Sequence, residues 1–275
     1  MNSELVIRLT AFIGVFLIIA FWETKRPRRP LKLDKAKRWL NNMGLVVVNT
    51  ITLRLVFPAA AVGIATQASE MGWGVLNQIT IDYYSFAVVL SVIALDLVIY
   101  LQHVMFHSIP LLWRLHLVHH ADLDYDLTTG LRFHPIEILL SMLIKFAAIL
   151  VLGPPVVAVI IFEVLLNASA MFNHGNLRLP KQLDAILRLA IVTPDMHRVH
   201  HSAIKRETNS NYGFNLSIWD RVFGTYRAQP QYGHDGMTIG LNQIRDPKKQ
   251  NLPWLLLLPF VSKVGEYPIN RDNDR

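Results

Sequence analysis

Five apolar stretches organise the chain: Leu5 to Trp22, Met43 to Thr66, Tyr84 to Val104, Ile136 to Leu152 and Val156 to Phe172. Each is long enough, as a helix, to cross ~30 Å of hydrocarbon, although the last two are near the lower limit and a shallow re-entrant hairpin is the alternative for them. Gly153-Pro154-Pro155 marks the turn between these two, since proline cannot continue a helix and biases its predecessor away from helical geometry. After Arg178 the chain becomes more polar and reads as a cap that runs to Tyr226. From Gln229 it is loop-like apart from Trp254 to Phe260, too short to span and read as an interfacial segment, and the last residues, 270–275, are expected to be mobile. The pattern predicts an all-α membrane protein of four to five hydrophobic helices with a cytoplasmic helical cap. It divides into membrane helices with a basic loop (1–95), a central unit (96–228) and a tail (229–275), with no internal repeat.

Composition agrees: 52% of residues are hydrophobic, and the mean hydropathy of +0.31 is high for a soluble globule. A net charge of +7 could point to nucleic acid, but much of it sits in Lys25, Arg26, Arg28, Arg29, Lys32, Lys35, Lys37 and Arg38, directly after the first apolar stretch. That placement reads as a cytoplasmic, lipid-facing anchor and not as a nucleic-acid surface. A cleaved signal peptide has its basic residues before the apolar run, so the first segment is expected to be retained. Cysteine is absent, which excludes disulfides, thiolate-ligated haem and cysteine-held iron–sulfur clusters.

With the basic loop cytoplasmic, the second stretch leads out and the third returns, ending on the cytoplasmic side. There the histidines begin. Eight of the eleven fall into three boxes: His103 and His107; His116, His119 and His120; His197, His200 and His201. The fourth and fifth stretches leave and return between the second and third boxes, so all three can meet on one face of an integral membrane protein, expected in a bacterial inner membrane rather than the endoplasmic reticulum. On a helix, residues three and four apart share a face, so each box is a ready-made pair or triplet of imidazoles. Pro110 suits the start of the second box's helix, and Thr193-Pro194 is an N-cap and first-turn pair for the third. One pair could be a hydrogen-bonded core feature; eight clustered imidazoles without metal would leave many polar nitrogens to satisfy. Eight ligands also exceed the four of a structural zinc site, which favours two ions of higher coordination number.

His174, where the fifth stretch reaches the same side, is the candidate ninth ligand, or else a hydrogen-bonding neighbour; His134, before Pro135, is open between the same roles. Asp96, nearly on the face of His103, is either an acceptor orienting a ligand histidine or a polar residue packed on a neighbouring helix. Asp195 is either such an acceptor or a favourable first-turn charge. His234 reads as a surface residue. Lys145 and Glu163 lie equally far from Pro154, so a hairpin turning there would bring them to one depth as an ion pair.

From about Asp96 to Tyr226 the chain resembles the fatty acid hydroxylase superfamily of sterol desaturases, methylsterol oxidases and lipid hydroxylases. The resemblance rests on Asp96 and Tyr100, Trp113, Phe133-His134-Pro135, Asn173-His174-Gly175-Asn176, Pro194-Asp195 before the third box, Asn211-Tyr212-Gly213 and Trp219 to Tyr226. The four-residue spacing of the first box resembles the sterol-desaturase branch more than the fatty acid 2-hydroxylases. The resemblance implies a membrane-bound, non-haem diiron enzyme that uses oxygen and two electrons to hydroxylate or desaturate a lipid. Imidazole suits iron independently, with zinc a substitute in purified protein. No haem-binding or flavin-binding module is apparent, so a separate ferredoxin-type or cytochrome-type donor is expected. A membrane metal transporter or zinc-binding structural protein is the alternative class, but such proteins place ionisable residues along a path through the bilayer.

Overall fold

The computed structural model describes residues 3–79, 83–263 and 265–269. In chain order the helices are α1 (Ser3–Lys25), α2 (Lys35–Val56), α3 (Ala60–Glu70), the single turn α4 (Val75–Gln78), α5 (Tyr84–Ser108), α6 (Pro110–His120), α7 (Pro135–Leu152) and α8 (Val156–His174). Shorter helices follow: α9 (Lys181–Leu187), α10 (Pro194–His200), α11 (Lys205–Thr208), α12 (Ile218–Val222), α13 (Gly233–Gly236) and α14 (Leu252–Val261). Among the described residues strand geometry is confined to isolated bridges such as Pro27 with Leu177. The segment 270–275, expected to be mobile, lies outside the described residues.

Among the described residues five helical stretches are long and apolar enough to cross a membrane, but the second is not one helix. It breaks after Val56, at Phe57-Pro58, because proline removes a backbone donor and its ring clashes with the preceding turn. The break lets α3 pack against α7 and α8 through fully buried Ala61, Ala65 and Ala68, a stripe of small residues that allows close backbone approach. The adjoining core contains Leu95, Ile99, Ile149, Val159 and Phe162.

Helices α7 and α8, of 18 and 19 residues, each rise about 27 Å and form an antiparallel hairpin. The hairpin turns at Gly153, which caps α7 at φ 65°, the left-handed conformation glycine adopts without a Cβ penalty. A side chain at Gly153 would also meet the Trp73 carbonyl at 2.6 Å, so the loop after α3 is seated on this turn.

Within the hairpin Lys145 Nζ lies 2.9 Å from Glu163 Oε1, the pair expected from their equal distances to Pro154. Arg8 of α1 adds an unforeseen partner, 3.0 Å from Glu163 Oε2. Removing one member of a buried pair strands the other, so Glu163→Leu should cost about 3 kcal/mol. Lys145→Met combined with Glu163→Leu should recover most of that loss in a detergent thermal melt. Equal stability of Glu163→Leu and the parent would show that the pair has no structural role.

The segment from Trp254 to Phe260 does form a helix. It is not simply interfacial: α14 packs on α6 and α2, burying Leu255 and Leu258 beside Leu45, Trp113 and Leu117, while Leu257 and Phe260 stay exposed.

Candidate metal centre

Each histidine box is carried by a helix whose start is set locally. α5 runs past its apolar stretch to present His103 and His107 one turn apart, and α6 opens at once with Pro110 in its first turn to present His116, His119 and His120. Thr193 caps α10 by accepting from Met196 N, with Pro194 next, and His201 stands at that helix's C-terminal cap. His174 is the last residue of α8.

The nine imidazoles gather into two buried groups, each with nitrogens within 4.8 Å of one another: His103, His107, His116, His120 and His200 in one; His119, His174, His197 and His201 in the other. Successive helical residues point about 100° apart, which sends His119 and His120 to different groups. The groups adjoin, with the His120 and His201 rings 4.6 Å apart between centroids.

Hydrogen bonding alone does not account for these contacts. His174 Nε2 lies 3.1 to 3.2 Å from the Nε2 atoms of His119, His197 and His201, and one ring nitrogen cannot satisfy three others. Nitrogens bound at about 2.1 Å to one ion sit roughly 3.0 to 3.4 Å apart, which is the observed spacing. In the first group His103 Nε2 and His116 Nε2 are 3.2 Å apart, and Nε2 of His107, His120 and His200 is buried without a partner. The residues therefore fit a pair of metal ions.

The outer nitrogens of five of the rings are oriented, whereas Nδ1 of His119, His197 and His201 is buried without a hydrogen-bond partner. The Nδ1–H of His103 donates to the Tyr212 carbonyl (2.9 Å), that of His200 to the Ser210 carbonyl (2.8 Å) and that of His174 to the Ala170 carbonyl (2.7 Å). His107 Nδ1 meets Asn209 Oδ1 at 3.1 Å, and His116 Nδ1 meets Glu137 Oε1 at 2.6 Å. Acceptors on Nδ1 leave the Nε2 lone pair for a metal. Burial, reinforced by neighbouring imidazoles, holds His119, His120, His197, His200 and His201 well below the usual histidine range, so they stay neutral and ligand-competent at neutral pH.

Other candidates fall elsewhere. His134 joins neither group: as the N-cap of α7 its Nδ1 accepts from Ile136 N, and its Nε2 faces the Leu256 carbonyl. Asp96 orients no histidine directly; it accepts from Asn215, Leu216 N and Trp219 Nε1, pinning the loop that carries Tyr212. Asp220 in that loop accepts from Tyr212 N and Gly213 N. Asp195 sits in the first turn of α10 and pairs with Arg198 and Arg28. His234 is buried, not superficial, 3.6 Å from Asp195.

The basic loop, expected to face lipid, is only partly exposed. Lys25, Arg26, Lys32 and Lys37 are exposed, but Arg38 is 3% exposed, and Arg29 donates to the carbonyls of His234 and Met237. What draws the loop inward is Asp122, Asp124 and Asp126, alternating carboxylates just after the second box. Arg38 donates from Nε and Nη2 to Asp122 and from Nη1 to Asp126, while Asp124 accepts the backbone N–H groups of Lys32 and Leu33. Three acids beside a histidine box, with Arg132 alone to balance them nearby in sequence, were a legible demand for a further, distant cation.

Below the histidines lies a mainly apolar cavity of about 290 Å³, walled by Phe12, Leu53, Phe106, Met142 and Leu166 and bordered by His103, His116 and His119. Gly130 also lines it, so close to α8 that a Cβ there would sit 2.8 Å from His174 Nδ1.

The fatty acid hydroxylase family model matches residues 88–225. Ornithine lipid hydroxylase OlsE of Rhizobium tropici is 30% identical over 231 residues, covering 80% of this chain and 67% of that protein. The alkylglycerol monooxygenases of Homo sapiens and Danio rerio are 29% and 33% identical, over 58% and 60% of this chain but only 34% and 36% of their own lengths. No solved structure matches significantly. With the family model spanning half of the chain and the histidine groups inside or beside an apolar cavity, the chain belongs to the fatty acid hydroxylase family.

Proposed function

We propose that this protein is a membrane-bound diiron oxygenase that hydroxylates or desaturates a lipid. The observation that carries the reading is the meeting of two buried imidazole groups with the end of an apolar cavity. Held by the nine histidines, two irons would supply the reductive activation of oxygen. For hydroxylation the balance is a C–H bond plus O₂, two electrons and two protons giving C–OH and water; desaturation removes a second hydrogen and gives two waters.

The protein's own part is positioning. Tyr212, Ser210 and Ala170 carbonyls, with Asn209 and Glu137, hold five rings in orientation. The cavity walls hold the hydrocarbon against the histidine end and exclude water. The unit 96–228 carries the chemistry, and the flanking regions brace it. The basic loop orients the histidine face to the cytoplasm, where a separate ferredoxin or cytochrome supplies electrons. Relatives named for ornithine lipids and alkylglycerols support a lipid substrate with a polar head. A resident metal is favoured over a transported one because the histidines converge at one end of the helices instead of along a path through them.

The test is metal analysis of purified protein followed by turnover in ¹⁸O₂ with iron and reductant. About two irons per chain and reductant-dependent label or hydrogen loss in lipid are expected. Iron-loaded, reduced protein that alters no lipid would sink the reading, and turnover without reductant would sink the need for a donor.

A further inference from the structure

The cavity's polar groups are almost all satisfied within the protein. Gln102 and Ser141 bond each other, Thr50 donates to the Val46 carbonyl, Asn167 donates to the Glu163 carbonyl, and Lys145 pairs with Glu163. Two acceptors at the histidine end are different. Asn49 is 8% exposed and gives its Nδ2 to the Phe133 carbonyl at 3.0 Å, which fixes the amide orientation, since a carbonyl needs a donor. Its Oδ1 is then left buried without a partner. Glu137, 4% exposed, spends Oε1 on His116 and leaves Oε2 equally unpartnered.

Both residues line the cavity beside the metal centre. Glu137 touches His116 directly, while Asn49 holds the backbone of Phe133, whose ring stacks on His119 at 4.6 Å. Deeper in, the wall is hydrocarbon and internally bonded polar groups such as the Gln102–Ser141 pair until Lys145, eight residues beyond Glu137 and so about 12 Å lower along α7. Buried acceptors without donors are costly, and a ligand that supplies donors there would be recognised by the same cost.

Resting on the oxygenase reading, we propose that Asn49 Oδ1 and Glu137 Oε2 receive hydrogen-bond donors, hydroxyl or N–H, from the head group of an amphiphilic lipid. The lipid therefore lies with its head at the metals and its chain pointing toward Lys145. The carbon oxidised belongs to the head or to the few carbons attached to it, and Asn49 is a specificity-determining residue.

The experiment uses the full-length protein in the membranes of its expression host with ¹⁸O₂, locating the label by fragmentation of the product lipid. Label on the head or its adjoining carbons is expected, and the fragment reveals whether that head carries hydroxyl or N–H. Label farther along the chain, or in a lipid without a donor-bearing head, overturns the inference while leaving the oxygenase standing; iron-loaded, reduced protein that alters no lipid fails the oxygenase reading instead. Asn49→Leu at matched iron content should lower labelled product about tenfold at subsaturating lipid, the scale of one lost hydrogen bond. An unchanged yield also overturns it. The label position is read on unsubstituted protein, so it decides even if Asn49→Leu does not fold.

Discussion

His174→Ala should bind one iron in place of two and lose lipid oxidation by roughly three orders of magnitude, the scale of several kcal/mol of metal-borne stabilisation. His174 Nε2 is the atom toward which His119, His197 and His201 all converge, and its Nδ1–H is fixed by the Ala170 carbonyl one turn back. Without it three imidazoles remain, while the five-histidine group is untouched. The comparison is His134→Ala, which should keep both irons and lose only about 1 kcal/mol, the usual worth of a helix N-cap. Elemental analysis of the two variants decides the matter. Two irons retained in His174→Ala, or one lost in His134→Ala, would reverse the assignment of these two histidines.

The largest effect on stability should come from Arg38→Ala. Asp122 and Asp126 are essentially unexposed, and Arg38 bonds both. Deleting it takes the bonded cation from both carboxylates, leaving Asp122 only the more distant Arg132 at 3.8 Å, and should cost about 5 kcal/mol, comparable to the whole stability of many folds. The pH dependence carries a sign. Burial alone would raise the Asp122 carboxyl, but Arg38 and Arg132 hold it down to about 2, below its ordinary 3.8. In the parent protein its stabilisation is present above the ordinary value and lost only as pH falls toward 2. In Arg38→Ala the carboxyl titrates upward, so mild acid relieves it. The gap in melting temperature between parent and variant should narrow from pH 7 to pH 5. A constant gap would mean that Arg38 acts by packing and not by charge.

Much of this arrangement was written locally. Helical periodicity made each box a single face, proline and threonine set the helix starts, and the turn at Gly153 matched Lys145 to Glu163. What escaped was either long in range or subtle in direction. Arg38 meets Asp122 across 84 positions, and no periodicity connects them. The break at Pro58 was available in the sequence, but hydropathy runs straight through it. His134 and His174 looked alike as lone histidines at helix ends. They differ because a helix N-terminus offers unpaired N–H groups that capture a ring nitrogen, whereas at a C-terminus the ring donates back to a carbonyl and leaves its far nitrogen outward.

Arg38 and the residues after the second box also impose an order on how the protein is made. The ribosome delivers that guanidinium long before the acids that neutralise it, and Gln250, which bonds both Arg132 and the Ala121 carbonyl next to His120, comes later still. A nascent chain can present the histidines of the first two boxes early, but their bracing closes only once Gln250 has been added.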